Sequence, residues 1–258
     1  MLIELPLEKY DSLYKIKEFQ LFPIITSVIY LKQKGTIYVD NIENPQIVYI
    51  IHKSSFSYLY NSIPINFDEL LYFLIFNNKT PQYSHIYNAE KELLICAEKN
   101  EDINIKIRKR IRMKGMPSMD FNLPNLPKGY SVKHISDIPL DDFSSFNLSI
   151  TEKYWESIEE MKTEGLGWVV YHNTKPVTIC YTPCIVNNNC ETDILTLPEY
   201  RGKGLGWIAG MYLLKSCVEK NVNMEWDVFV DNIPSIKIGE KFGFKPYFEY
   251  DFLSIYKK

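Results

Sequence analysis

The 258-residue sequence has no two cysteines spaced as a CxxC pair and no cluster among its four histidines. The five cysteines, Cys96, Cys180, Cys184, Cys190 and Cys217, are odd in number, and His52, His85, His134 and His172 are scattered. Neither a zinc site nor a disulfide framework is expected from such spacing. No run of 18 apolar residues occurs, so no membrane span is expected. Glu4, Glu8, Lys9 and Asp11 interrupt the first twenty residues, which does not fit a secretory signal. Positive charge is not in excess either. The formal net charge is −3, which argues against broad nucleic-acid binding. One basic run, Lys106-Ile107-Arg108-Lys109-Arg110-Ile111-Arg112, reads as a strand or helix end with a solvated basic edge, and no matching patch accompanies it. These absences point to a globular protein of the reducing cytoplasm, with no metal, no nucleic acid and no membrane among its partners.

What is present is 46% hydrophobic and 24% charged, enough for two modest domains. Proline and glycine crowd the stretch from Lys114 to Gly129 and disfavour helix interior and central strand. The expected division is a domain at 1–115, a linker at 116–128 and a domain at 129–258. In the second half, periodicity and turns predict a strand at 130–135 and helices at 141–146 and 151–162. Strands follow at 166–171, 177–185 and 191–197, then a helix at 205–219, a strand at 224–230 and a short helix near Pro234. A hairpin-rich sheet crossed by helices is α+β. The helix from Leu205 is apolar nearly all round, so it should be central and rigid. The first half predicts strands at 27–32, 35–40 and 46–52, and helices at 66–76 and 90–98. It reads as a smaller mixed α+β domain.

The densest signal is Leu195-Thr196-Leu197-Pro198-Glu199-Tyr200-Arg201-Gly202-Lys203-Gly204-Leu205-Gly206. An apolar strand runs into a basic, glycine-rich turn and then into a helix. Such a turn aims backbone N–H groups outward at a helix N-terminus, which suits phosphate. Glycines allow close backbone approach, and Arg201 and Lys203 add charge. GxxxxGK[ST] is absent, because Gly204 follows Lys203, and the alternating Gly202, Gly204 and Gly206 do not spell GxGxxG. The pattern present is Arg-x-x-Gly-x-Gly.

That pattern resembles the coenzyme A pyrophosphate loop of the GNAT superfamily of N-acetyltransferases. Downstream, Asn232-Ile233-Pro234-Ser235 and Glu240-Lys241-Phe242-Gly243-Phe244 are similar to that superfamily's Asn-x-x-Ser and Glu-Lys-x-Gly-Phe, in the same order. The resemblance implies a mixed, mostly antiparallel GNAT sheet flanked by helices, with acetyl-CoA as cosubstrate and no metal. It further implies direct transfer of acetyl to an amine, without a covalent enzyme intermediate. The Gly35 to Asn41 segment and the Trp226-Asp227 pair resemble a two-domain bacterial group that includes zwittermicin-type self-resistance acetyltransferases. A small-molecule primary amine is the expected acceptor. A non-catalytic acyl-CoA sensor and a protein N-acetyltransferase are the competing readings.

Roles follow from the resemblance residue by residue. Arg201, Gly202, Lys203, Gly204, Leu205 and Gly206 would hold the pyrophosphate. The backbone of Leu195, Thr196 and Leu197 would pair with the pantetheine arm like an added strand. Asn232 and Ser235 would contact the cofactor, although Asn232 can equally cap the next helix. Glu191 and Asp193 share a strand face by period two, so either could take the amine proton, directly or through water. Each could equally be a solvated strand start. Many superfamily members carry a tyrosine just before Glu-Lys-x-Gly-Phe as the acid, and here Gly239 stands there. Tyr247, Tyr250 or Tyr256 could substitute from the last strand. Cys180, Cys184 and Cys190 lie on strands near this region and Cys217 reads as core. With no histidine partner in the sequence, none is expected to act as a nucleophile.

Overall fold

The computed structural model describes residues 2–115, 122–146 and 150–258; residues 116–121 of the expected linker lie outside the described residues. The chain forms two compact units. The first is Met1–Arg110 with Glu249–Lys258, and the second is Ile111–Phe248. These limits differ from the expected 1–115 and 129–258, because two long strands each run from one unit into the other.

The first unit begins with the short strand β1 (Ile3–Glu4) and two 3-10 turns, then helix α1 (Pro23–Ile29). Strands β2 (Gly35–Val39), β3 (Ile47–His52) and β4 (Phe56–Asn61) follow, then α2 (Phe67–Phe76), β5 (Tyr83–Tyr87), α3 (Lys91–Lys99) and the long β6 (Ile103–Lys114). No strand forms at the expected 27–32: Ser27 to Ile29 end the buried helix α1 and residues 30–32 turn away from it. Its β-branched run suits a strand, but Pro23 starts the helix and the Thr26 hydroxyl donates to the Phe22 carbonyl at 3.1 Å. Helix α2 starts as expected, with the Asn66 side chain accepting from the Asp68 and Glu69 N–H groups.

The second unit opens with β7 (Tyr130–His134) and the short helices α4 (Leu140–Ser144), α5 (Ile150–Tyr154) and α6 (Ile158–Glu164). The single helix expected at 151–162 is two, because Ser157 caps a new start and accepts from the Glu160 N–H at 3.0 Å. The Glu160 carboxylate in turn accepts from the Glu156 N–H at 2.7 Å, a variant of the capping box. Then come β8 (Gly167–His172), β9 (Lys175–Tyr181), β10 (Ile185–Val186), β11 (Asn189–Cys190) and β12 (Asp193–Thr196). The unit continues with α7 (Leu205–Glu219), β13 (Asn223–Met224), β14 (Trp226–Phe229), α8 (Ile233–Lys241) and the start of β15 (Lys245–Lys257). The strand expected at 191–197 begins only at Asp193, since Glu191 and Thr192 separate β11 from β12.

In the first unit the strands lie in the order β1-β2-β3-β4-β5-β15-β6, with β4 and β5 parallel and β2, β3 and β4 antiparallel. In the second, β12-β9-β8-β7 is an antiparallel sheet, β11 runs parallel to β13, and β14 borders β6. Both units pass through a similar order: a strand, helices, a run of antiparallel strands, a helix, a stretch with a strand that pairs in parallel, a helix and a strand; the second unit adds β10 and β11 to the run and β14 after the parallel β13. The architecture is the expected α+β, mostly antiparallel and flanked by helices.

Helix α7 spans the expected 205–219 and is buried along most of its length. Leu205, Ile208, Leu213 and Cys217 join Met113, Val170, Trp226 and Phe242 in one core. A Cβ on Gly210 would lie 2.4 Å from the Phe242 ring, so this glycine lets α8 and α7 close up.

Candidate active site

A cleft of about 620 Å³ opens where β12 runs into α7. Gly202 and Gly204 have φ of +77° and +75°, the left-handed region, and a Cβ on either would meet nothing within 4 Å. Gly204 is the N-cap of α7 and no side chain caps that end. The first intrahelical bond runs from the Ile208 N–H to the Gly204 carbonyl at 3.1 Å. The N–H groups ahead of it therefore face the cleft mouth without helical acceptors, a seat for an anion. Gly206 is needed for another reason: its Cβ would sit 3.1 Å from Ile194 Cδ1 and 3.2 Å from Ile238 Cδ1.

Strand β12 is an edge of the four-stranded sheet. The Leu197 N–H donates inward to the Val177 carbonyl at 3.0 Å, so by alternation Ile194 and Thr196 turn their backbone groups outward. Of the three strand residues proposed for the cofactor arm, Leu195 and Thr196 line the cleft, together with Ile194, while Leu197 does not. Arg201 lines it too and donates from Nε to the Thr196 carbonyl at 3.1 Å. Lys203 is turned away from the lining, its ammonium 4.7 Å above the Tyr200 ring. Asn232 and Ser235 stand on the far wall. Asn232 caps α8, accepting from the Ser235 N–H, and it also lines the cleft. The Trp226 indole N–H donates to the Ser235 hydroxyl and carbonyl oxygens at 3.2 and 3.1 Å and fixes this turn.

Among the lining residues that sequence reasoning missed are Trp207, Lys237 and Lys241. The Trp207 indole N–H is buried with no hydrogen-bond partner, and the Lys241 ammonium lies 5.7 Å from its ring. The lysines recur at i and i+4 on α8, a spacing that was visible but had no strand to place it against.

Of the catalytic candidates, the structure brings Glu191 and Tyr247 together around a residue that was not singled out. Arg112 closes the basic run expected to be a solvated edge, yet it is fully buried. The correction is specific to it: Lys106 and Lys109 are exposed, and Arg110 lies 5.1 Å over the Phe252 ring. Arg112 Nη1 donates to Asp227 Oδ2 at 3.0 Å and reaches Glu191 Oε1 at 3.4 Å, Nη2 pairs with Glu225, and Nε donates to the Tyr247 hydroxyl at 3.1 Å. Burial opposes the guanidinium's charge, but Glu191, Asp227, Glu225 and Tyr247 outweigh it and hold its proton more firmly than water does. The Tyr247 hydroxyl also donates to Glu225 Oε2 at 3.4 Å. Burial raises its pKa, Arg112 works against that rise, and the phenol stays protonated.

Asp193 does not join this cluster. It accepts from the Tyr181 hydroxyl at 2.8 Å, because the break at residues 191–192 ends the period-two relation with Glu191. Tyr250 is buried among Phe22 and Tyr87, and Tyr256 lies on the first unit's end of β15, so neither is placed at the Arg112 cluster. Gly239 is buried, with its would-be Cβ 3.1 Å from Trp226 Cδ1 and 3.2 Å from Met113 Sδ; no tyrosine fits there. Burial pushes the Cys180 and Cys184 thiols up. Cys190, in hydrogen-bond contact with Cys217 at 4.0 Å, is raised by that contact and by burial, so none is poised as a thiolate.

The family sequence profile described as GNAT acetyltransferase matches residues 17–253, most of both units. The chain belongs to the GNAT acetyltransferase family. A relative in Bacillus subtilis, the uncharacterized N-acetyltransferase YdfB, is 34% identical over 125 residues. That match spans 48% of this chain and 48% of the relative, so the chain covers about half the length of this curated relative. A GCN5-related N-acetyltransferase-like protein from Streptococcus suis superposes with a TM-score of 0.74 at 19% identity, covering 96% of this chain and 98% of that one. A tandem GNAT protein from the clavulanic acid biosynthesis pathway superposes at 0.63 and 12% identity, over 98% and 97% of the two chains. At such identities the likeness carries the fold. Acetyl transfer is the chemistry of the family, and acetyl-CoA its acetyl donor. Among the described residues no helix is long and apolar enough to cross a membrane, and no group of side chains could hold a metal ion.

Proposed function

We propose that this chain transfers the acetyl group of acetyl-CoA to the primary amine of a small molecule, by direct attack in a ternary complex. The observation that carries the proposal is the uncapped N-terminus of α7, entered through two left-handed glycines at the end of an edge strand. The cleft fits the donor chemically: N–H groups for a pyrophosphate, outward backbone at Ile194 and Thr196 for an extended amide arm, and lysines at the open end. Overall, R–NH₂ and CH₃CO–S–CoA become R–NH–COCH₃ and HS–CoA; one C–S bond breaks, one C–N bond forms, and a proton moves from nitrogen to sulfur.

The chain's part is to manage that proton. Glu191 is proposed as the base, because the structure holds it near Tyr247 whereas Asp193 is engaged by Tyr181. Tyr247 is proposed as the acid in place of the tyrosine that Gly239 lacks, and a proton returned from Glu191 to Tyr247 resets the pair. We place the catalytic machinery in the second unit and membership of the zwittermicin-type group, with a cytoplasmic resistance role, among the readings this proposal favours.

Calorimetric titration with acetyl-CoA is the test. Wild type is expected to bind saturably with micromolar affinity, and an Arg201→Ala, Gly204→Ala double variant is expected to lose that binding. A folded wild type without affinity for acetyl-CoA would refute the proposal.

A further inference from the structure

We propose that Arg112 is a positioning residue for the transfer, holding Glu191 and Tyr247 in one arrangement about its guanidinium; the inference rests on the acetyltransferase reading above. Strand alternation places the groups. Met113, Trp226 and Val228 point into the core beneath α7 and α8. Their neighbours Arg112, Glu225 and Asp227 therefore project from the opposite face. On that face one guanidinium uses all three of its nitrogens: Nε for the Tyr247 hydroxyl, Nη1 for Glu191 and Asp227, Nη2 for Glu225.

Those partners come from four separate places in the chain: the gap between β11 and β12, the residue before β14, β14 itself and the start of β15. None of these places alone fixes where the Glu191 carboxylate sits relative to the Tyr247 hydroxyl. The planar fork of Arg112 does, because its N–H directions are rigid where an ammonium's are not. The fork is itself fully buried, so its orientation is set by packing. Besides Arg112, the charged and titratable groups set about Glu191 and Tyr247 include Glu225, Asp227, the thiols of Cys184 and Cys190, and Lys114, whose ammonium lies 4.3 Å from the Tyr247 ring. Arg112 is the cation paired with Glu191, and it favours the ionised form of the carboxylate it holds.

The experiment compares wild type with Arg112→Lys and Arg112→Gln. Acetyl-CoA affinity is measured by calorimetry. Thiol release from acetyl-CoA is followed across pH with spermidine, tyramine and glucosamine as probe amines. In Arg112→Gln, acetyl-CoA affinity is expected to stay within about twofold while kcat falls roughly 100-fold, the scale of one lost acid–base arrangement. Arg112→Lys should recover part of that loss. The acidic limb of the kcat/KM profile should move to higher pH, since a carboxylate deprived of its cation binds its proton more tightly.

An unchanged limb, or kcat and acetyl-CoA affinity falling together, would overturn the positioning role and leave Arg112 a structural ion pair. Should both Arg112 variants fail to fold, Glu191→Asp and Tyr247→Phe are combined instead. Losses that are non-additive support a shared mount, and additive losses overturn it. A wild type that binds acetyl-CoA but releases no thiol with any amine also overturns it. A wild type that does not bind acetyl-CoA fails the acetyltransferase reading itself, which is a separate result.

Discussion

Gly239 is buried between the Trp226 indole and the Met113 thioether, in the position where the resemblance calls for a tyrosine. Restoring that tyrosine should not restore anything. A Gly239→Tyr variant forces a ring into a space already tight for a Cβ, and overpacking of this kind costs about 1–3 kcal/mol or more. The expected outcome is a lower urea midpoint with no gain in kcat; a variant as stable as its parent would show that Trp226 and Met113 yield. The departure at Gly239 was readable from the chain alone. Which of Tyr247, Tyr250 and Tyr256 is set among charged groups was not: Tyr247 acquires its surroundings from Arg112, 135 residues away, and from Glu225, 22 residues away. Arg112 looked like one more basic residue in a solvated run, and only strand pairing distinguishes it from Lys109.

Elements whose signals are local were legible in the sequence. Helix α7 and its glycine turn were placed correctly because cap, periodicity and turn lie within a few residues of one another. The end of α1 resembles a strand because an apolar β-branched run looks the same in both states, and the helix signal, Pro23, lies four residues before the run. The expected 151–162 helix divides at Ser157, whose capping pattern with Glu160 is present in the sequence but is masked by the apolar spacing that runs across it. Helix α8 carries the prediction at this scale. Its exposed Lys237 and Lys241 line the cleft on successive turns, so Lys237→Ala combined with Lys241→Ala should weaken acetyl-CoA binding roughly 3- to 30-fold. Exposed charges are screened, so the loss should shrink at high salt. Calorimetry at low and high salt checks both statements; a salt-independent loss would point to packing instead.

For the whole molecule, the two units have similar element orders, but their boundaries cut across two strands. Strand β6 ends in the second unit, and β15 ends in the first. A fragment cut at the apparent linker, residues 129–258, would lack Arg112 and Met113 while keeping Glu191, Glu225 and Asp227 in the fold. Removing one partner from a buried ion pair costs about 3–5 kcal/mol, against a total stability of about 5–15 kcal/mol for a domain. That fragment is expected to show no cooperative thermal transition by circular dichroism where the full chain does; a sharp transition would mean the second unit folds without its borrowed strand. The same feature also bears on synthesis. Chains leave the ribosome at about 5–20 residues per second and usually fold from the first domain onward. Here the second unit is complete at Phe248, while the first still awaits the ten residues Glu249–Lys258. The unit that is begun first is completed after the second, and its sheet must stay open between β5 and β6 until Glu249–Lys258 have been made.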